Sequence, residues 1–368
     1  MPFRRETITR PAGTVTDLSP YELPNEVWSS SDNADFDRKR SSTCRGWSEV
    51  YPSLSSQGVF ALPWTDFNMP YWFVATPTSI FRMQYDKLNN VTRETKEGTD
   101  IPYNGESGWN GANFNGAVVF NNGYDAPQYY NTASSRFADL VAWPEFYSCA
   151  IIRPFKNYLV ALDITKDTGQ RFPVMVKWSD PADAGGVPLS WDETSAETQA
   201  GEALLPDTSG RAIDGLALND NFFIYKADSV WAMTFIGGTL VFQFRRVFAD
   251  DGIMGQDCAV EVEGKHYVVG TNDIYMHDGT RKQSIVDGVT RHAIFGDIHP
   301  DYKHKVKAVS HPPTSELWVY YPDHNTISGE CNQAWVFNWE QGLWGPRDIP
   351  ECSYIHLGAV DTRPSEHW

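Results

Sequence analysis

The strongest constraint on how this chain can fold is a strand–turn–strand unit that recurs along it, clearest between Leu216 and Ile285. Apolar runs flank Lys226-Ala227-Asp228, and further runs flank Gly237-Gly238. After Asp228, Val230, Ala232 and Thr234 alternate with Trp231, Met233 and Phe235. Strand side chains point alternately to opposite faces, and β-branched and aromatic residues suit a pleated surface, so the pattern predicts short antiparallel strands. The next unit is punctuated at Glu263-Gly264, Asn272-Asp273 and Asp278-Gly279, which is the chemistry of hairpin turns.

The same design runs through most of the 368 residues. Residues 1–56 read as an irregular arm broken by Pro20, Pro24 and serines, and residues 57–350 hold the units. The first unit is GVFALPW, YWFVAT and SIFRMQYD, then a turn at Asn89-Asn90 and a short strand through Val91. The second is WNGANFNG, AVVFNNG, PQYYNT and FADLVAW, and the third CAIIRP, NYLVALDI, FPVMVKWSD and VPLSW. The sixth is KVKAVSH, ELWVYYPD, QAWVFNWE and a run on Leu343-Trp344. YIHLGAV, within residues 351–368, reads as a closing tail or as the opening strand of a seventh unit.

The units recur at roughly forty to sixty residues, a length that signals propeller blades, so an all-β propeller of about six four-stranded antiparallel blades is expected. An N-terminal strand completing the last blade would close the ring. An irregular sandwich or tandem β-domains is the fallback, and one short helix is expected at Gly288–Phe295.

Fourteen tryptophans and a 14% aromatic share supply core material for stacked sheets. The N-terminal residues lack the apolar core of a secretory signal, so the chain reads as a soluble protein made in a cytoplasm. Cys44, Cys149, Cys258, Cys331 and Cys352 are widely spread without a C-x-x-C pair, and read as free, mostly buried thiols. A net charge of −17 argues against a protein that grips nucleic acid by neutralising phosphates. It fits plain solubility, and also a wall past which a polyanion slides without sticking.

Motifs with chemistry are sparse. No glycine-rich phosphate loop, G-x-S-x-G elbow or H-E-x-x-H is present. His299, Asp301 and His304 could ligate a metal ion, but their spacing fits no standard site and an inter-blade loop explains them as well. Lys177-Trp178-Ser179-Asp180 with Asp183-Ala184-Gly185 resembles the Asp-box turns of sialidase-like propellers, yet Pro181 and the inserted residues break the spacing, which favours a structural turn. Asn90-Val91-Thr92 matches a glycosylation sequon, with no secretory signal to give it meaning. Asp35–Arg40 reads as a solvated turn, and Arg245-Arg246 as a strand end paired with nearby carboxylates. No catalytic, cofactor-binding or metal site is therefore assigned.

Two segments together carry a family resemblance. ELPNEVWSSSDNADFD precedes Gly46-Trp47; later come Trp178-Ser179, VPLSW, Gly237, Phe242 with Phe244, Gly252 with Gly255, and Asp278-Gly279, in that order. This succession resembles the β-propeller tail nozzle, tail hub or tail tubular protein B family of short-tailed bacteriophages, over about half of the chain. The resemblance implies a non-enzymatic virion structural protein, assembled in the host bacterial cytoplasm and located in the virion tail. Copies, six in relatives, would form a ring below the portal and its tail adaptor, enclosing the exit channel for double-stranded DNA without binding it specifically. Tail fibres or spikes are further implied partners; membrane insertion and cofactors are not. Many relatives carry platform or fibre-docking domains beyond the point where this sequence stops. Two other readings stand beside it: a glycan-binding or glycan-cleaving propeller that recognises a receptor, and a generic interaction propeller, for which the repeated Trp-Asp or double-glycine signature is missing.

Overall fold

The computed structural model describes residues 14, 21, 28–31, 33–37, 40–44, 46–66, 69–84, 87–95, 97–105 and 108–360. The chain is all-β: six four-stranded antiparallel sheets are the blades of a six-bladed β-propeller, and among the described residues helical structure is confined to one α-helix and short 3-10 turns. Every blade is built from four strands consecutive in sequence. The chain divides into two compact units. One comprises residues 1–48 and 254–352, the other residues 49–253 and 353–368.

In the first unit, β1 (Ala34–Asp37) and β2 (Arg40–Thr43) form a separate hairpin. The second unit holds four blades. They are β3 (Phe60–Asp66) to β6 (Lys87–Asn90), with β4 (Met69–Ala75) and β5 (Ile80–Gln84) between; and β7 (Asn110–Phe114), β8 (Ala117–Asn121), β9 (Gln128–Tyr130) and β10 (Ala138–Asp139). The third is β11 (Ser148–Phe155), β12 (Tyr158–Thr165), β13 (Arg171–Trp178) and β14 (Gly201–Leu204). The fourth is β15 (Ala212–Leu218), β16 (Asn221–Lys226), β17 (Ser229–Phe235) and β18 (Phe242–Ala249).

Aromatic rings fill the space between neighbouring blades of this unit. Phe73 is fully buried and meets Phe120, Tyr130 and Phe137 at centroid distances of 6.4, 5.0 and 5.5 Å. Polar side chains stitch adjacent innermost strands. Asn110 on β7 donates from Nδ2 to the Ala150 carbonyl (2.9 Å) and accepts the Ile152 amide at Oδ1 (2.9 Å), replacing a backbone ladder that separate sheets do not share. Arg153 on β11 reaches Asp214 on β15 with two parallel hydrogen bonds, both residues being buried.

Three strand assignments differ from the sequence pattern. Asn89 and Asn90 belong to β6, opposite Arg82 and Phe81, rather than to a turn. The last strand of the third blade is Gly201–Leu204 and not VPLSW. In VPLSW, Pro188 has no amide to donate, the Ser190 carbonyl accepts the Asp180 amide in a loop, and Trp191 packs edge-on against Trp143 at 4.7 Å. YIHLGAV forms no strand. It lies against the first blade through Tyr354 on Phe60 (4.8 Å) and a bond from Trp72 Nε1 to the Ala359 carbonyl (2.9 Å), which are side-chain contacts and not a backbone ladder.

The first unit contributes the fifth blade, β19 (Ala259–Val262), β20 (Lys265–Val269), β21 (Ile274–His277) and β22 (Lys282–Ser284), and the sixth, β23 (Lys307–His311), β24 (Glu316–Tyr321), β25 (Cys331–Asn338) and β26 (Leu343–Cys352). Between them lies α1 (Gly288–Asp297), at the expected place, where Asp287 Oδ1 accepts the Thr290 amide (2.8 Å) as an N-terminal cap. The expected completion of the last blade by an N-terminal strand takes another form. β26 is that blade's own fourth strand, and the arm lies beside it, with the Asp348 amide bonding Asn33 Oδ1 (3.0 Å) and Trp47 edge-on to Trp318 (6.1 Å).

Candidate functional site

The segment that carries the family resemblance centres on the β17–β18 turn of the fourth blade. The amides of Ile236 and Gly237 both donate to the Val241 carbonyl, at 2.9 and 3.1 Å, which pinches the turn shut. Gly237 (φ 70°, ψ −171°) occupies a region that is essentially open only to glycine. Val241 stands at φ 53° and ψ −58°, an outlier for a β-branched residue. Its side chain is buried in the cluster that holds Phe155, Tyr158, Trp178 and Phe242, and that burial offsets the strain. Consequently the turn is over-determined, and it turns Phe235, Ile236 and Leu240 outward, with Leu240 70% exposed.

Behind the turn, each resemblance residue has a packing or turn-forming job. Trp178 donates from Nε1 to the Gln199 carbonyl (2.8 Å) and stacks edge-on with Phe242 (5.4 Å). Ser179 Oγ accepts the Leu159 amide (3.0 Å) and donates to the Asp180 carbonyl (2.8 Å). Gly252 is required by close approach, since a Cβ there would lie 1.9 Å from the Ala227 carbonyl oxygen. Asp278 Oδ1 accepts the amides of Thr280 (2.8 Å) and Arg281 (2.7 Å), and these bonds hold its carboxyl below the usual carboxylate range.

Arg245 and Arg246 lie within β18, opposite Ala232 and Trp231, and not at its end. Both are exposed, and among the described residues neither has a carboxylate at ion-pair distance, which corrects the expected pairing. Two exposed guanidinium groups thus sit on the outermost strand of this blade, one on each face, along β18 from the apolar turn.

The other sequence candidates are spread through the fold and do not converge. His299 caps a 3-10 turn by accepting the Asp301 amide at Nδ1 (3.2 Å), and among the described residues no group of three His, Cys, Asp or Glu side chains could hold a metal ion. Asp180 Oδ1 accepts the Gln199 amide (2.7 Å) and the Asp183 carbonyl accepts the Gly186 amide (3.0 Å), so both belong to turns. Lys177 is fully buried against Glu193 and Glu202. Asn90 bonds Asp100 Oδ2 (2.6 Å) and the Thr92 amide (2.9 Å). Asp35–Asp37 and Arg40 form the backbone of the β1–β2 hairpin; Arg38 and Lys39 lie outside the described residues, as do residues 22–27 and 32 of ELPNEVWSSSDNADFD.

Sequence reading missed two features. Lys226, read as a turn residue, is fully buried, and its ammonium donates to the carbonyls of Leu205 (2.9 Å) and Thr208 (2.6 Å) and to Thr208 Oγ1 (2.7 Å). Burial lowers its pKa, and the chain it binds is the loop leading into β15. In the other unit a groove of about 610 Å³ lies against the fifth and sixth blades, lined by Lys265, Tyr267, Met276, Ser284, Arg291 and Trp339 among others. Trp339 Nε1 and Arg291 Nε are buried without an acceptor among the described residues. A Trp-Glu-Gln-Gly turn gives no periodic signal, so only the fold reveals that Trp339 and Tyr267 come within 6.4 Å.

No helix among the described residues is long and apolar enough to cross a membrane. No family model matches the chain, and no curated protein matches its sequence. Among solved structures it is similar to the computationally designed Ika8 protein (10% identity, 83% of this chain and 78% of that one, TM-score 0.48) and the AfRom2 CNH domain (9%, 83% and 88%, 0.46). Virginiamycin B lyase from Staphylococcus aureus is a third (9%, 79% and 85%, 0.48), and the propeller assignment rests on the strand topology itself.

Proposed function

We propose that the chain is a non-enzymatic structural protein of a short-tailed phage virion, which associates with copies of itself into a ring in the tail, against the tail adaptor and around the DNA exit path. The observation that carries this reading is the strained, apolar β17–β18 turn, with Leu240 70% exposed, on a blade whose outer strand also carries the exposed Arg245 and Arg246. Strain is retained where the surrounding structure imposes it, commonly at functional sites. Arginine and large apolar side chains are the residues that carry interface affinity. In a chain of net charge −17, a small cationic and apolar patch is complementary to the acidic surface of another copy. Ring closure by identical subunits needs such a heterologous contact, one surface meeting a different one. The same acidic balance weakly repels a passing duplex, so DNA is conducted and not held.

Native mass spectrometry of the chain, alone and with its adaptor, tests the reading. Higher-order rings that Leu240→Asp with Arg245→Glu dissolves are expected. A wild-type chain that stays monomeric with the adaptor and is absent from virions overturns it.

The groove against the fifth and sixth blades favours a second reading, a glycan-binding propeller. Aromatic Tyr267 and Trp339 with polar Lys265, Gln283 and Arg291 in the lining suit a ligand rich in hydroxyl groups. A glycan array and a hydrolysis assay that are both negative remove it.

A further inference from the structure

We propose that Cys331 and Cys352 form a redox pair that closes a disulfide between the last two strands of the sixth blade. The inference is independent of the ring reading. It rests on register: Cys331 on β25 and Cys352 on β26 are direct cross-strand partners, and both are thiols. Directly opposed residues of an antiparallel pair have Cα atoms about 4.5–5.5 Å apart, inside the roughly 4.4–6.8 Å that a disulfide spans. They also share a face, with Cβ atoms about 4.5–5.5 Å apart, so a bond needs the strands to approach by up to about 1 Å.

This sheet can yield at that point. The register shifts between Cys331 and Gln333, and Cys352 is the last residue of β26. Cys331 is buried, with Sγ donating weakly to the Lys305 carbonyl (3.4 Å), while Cys352 is half-buried. Burial pushes the Cys331 thiol up, helped by Cys352 and Glu330 and opposed by Lys307 and Lys305; burial and then Glu330 push Cys352 up to about 12. Thiolates are therefore scarce at neutral pH, and closure is slow without an oxidant and mild alkali.

The chemistry uses a small-molecule disulfide such as oxidised glutathione. The Cys352 thiolate attacks one of its sulfurs, forming a mixed disulfide and releasing one glutathione thiolate. The Cys331 thiolate then attacks the Cys352 sulfur and releases the second. The protein loses two protons and two electrons, and the small disulfide is reduced to two thiols. The new bond ties β26 to β25 and removes its freedom to fray.

The test is oxidation of the full-length chain with oxidised glutathione in mild alkali, followed by alkylation, peptide mapping and amide exchange. Expected is one Cys331–Cys352 cross-linked peptide, with Cys149 and Cys258 alkylated only on unfolding, and exchange of the β26 amides slowed by about tenfold and restored by dithiothreitol. Cys331→Ser is expected to stop at a stable glutathione adduct on Cys352. A wild-type chain that itself stops at that adduct, or links Cys352 to Cys44 or to a second chain, overturns the proposal. If the serine variant fails to fold, the mass of the oxidised wild-type peptides decides: a linked Cys331–Cys352 pair that has lost its thiol hydrogens supports the proposal, and a peptide carrying one glutathione on Cys352 overturns it.

Discussion

Arg153 and Asp214 face each other as a buried fork, Nε to Oδ1 at 2.9 Å and the second guanidinium nitrogen to Oδ2 at 3.1 Å, across the innermost strands of two adjacent blades. Removing one member leaves the other charged in a dry site. Asp214→Asn is therefore expected to lower unfolding free energy by about 3–5 kcal/mol, whereas replacing both residues by Met and Leu recovers more than half of that. Urea denaturation of the two variants decides; equal losses would sink the idea.

The β17–β18 turn makes a second prediction. Gly237→Ala forces a Cβ into a glycine-only region and is expected to destabilise by about 1–3 kcal/mol. Val241→Gly should be close to neutral, because relief of about 1–3 kcal/mol of strain opposes the loss of a buried valine worth about 1.5–3 kcal/mol. Thermal unfolding curves of the two variants separate these cases.

His266 and His277 are cross-strand partners with ring centroids 5.2 Å apart, both buried. Burial, and then His266, lower the His277 pKa to about 3 from its ordinary 6.5. The unfolded chain thus binds the extra proton between those values. Stability is fully present above the unfolded pKa and falls on acidification toward the folded one, by about 1.4 kcal/mol per pH unit at most. His277→Gln should flatten the decline between pH 6 and 4, as read from denaturant midpoints; an unchanged slope would exclude this source.

The C-terminal tail makes a fourth. Cutting the chain after Cys352 strips Tyr354 from Phe60 and the Ala359 carbonyl from Trp72. Faster amide exchange confined to β3 and β4 is expected, with about 2–4 kcal/mol lost there. Uniform behaviour across all blades would argue against a local clasp.

Blade identity was legible because alternation and turn chemistry agree wherever strands are long. β16, β17, β20 and β25 combine β-branched and aromatic residues with Gly or Asx turns, so their edges stand out. The fourth strands were less readable. β10 has two residues and β14 four, and neither buries a full face, so hydrophobic VPLSW outweighed the true strand GEAL. Of the candidate site, the glycine turn was legible and its strain was not, because nothing in the letters F-I-G-G-T-L-V places Val241 at positive φ. Arg245 and Arg246 looked like strand-end partners for carboxylates, since a lone sequence does not show which strand is outermost. Lys226 and the Trp339 groove depend on contacts between segments far apart in the chain, which pattern alone does not carry.

That each blade uses four successive strands has a consequence for synthesis. As the polypeptide leaves the ribosome, one sheet can complete its hydrogen bonds before the next is translated, so no edge waits long for a distant partner. The exception is the first blade to emerge, whose Phe60 and Trp72 stay only partly covered until residues 354–359 arrive. A nascent chain stalled before Tyr354 would leave the outer side of those two rings open to chaperones.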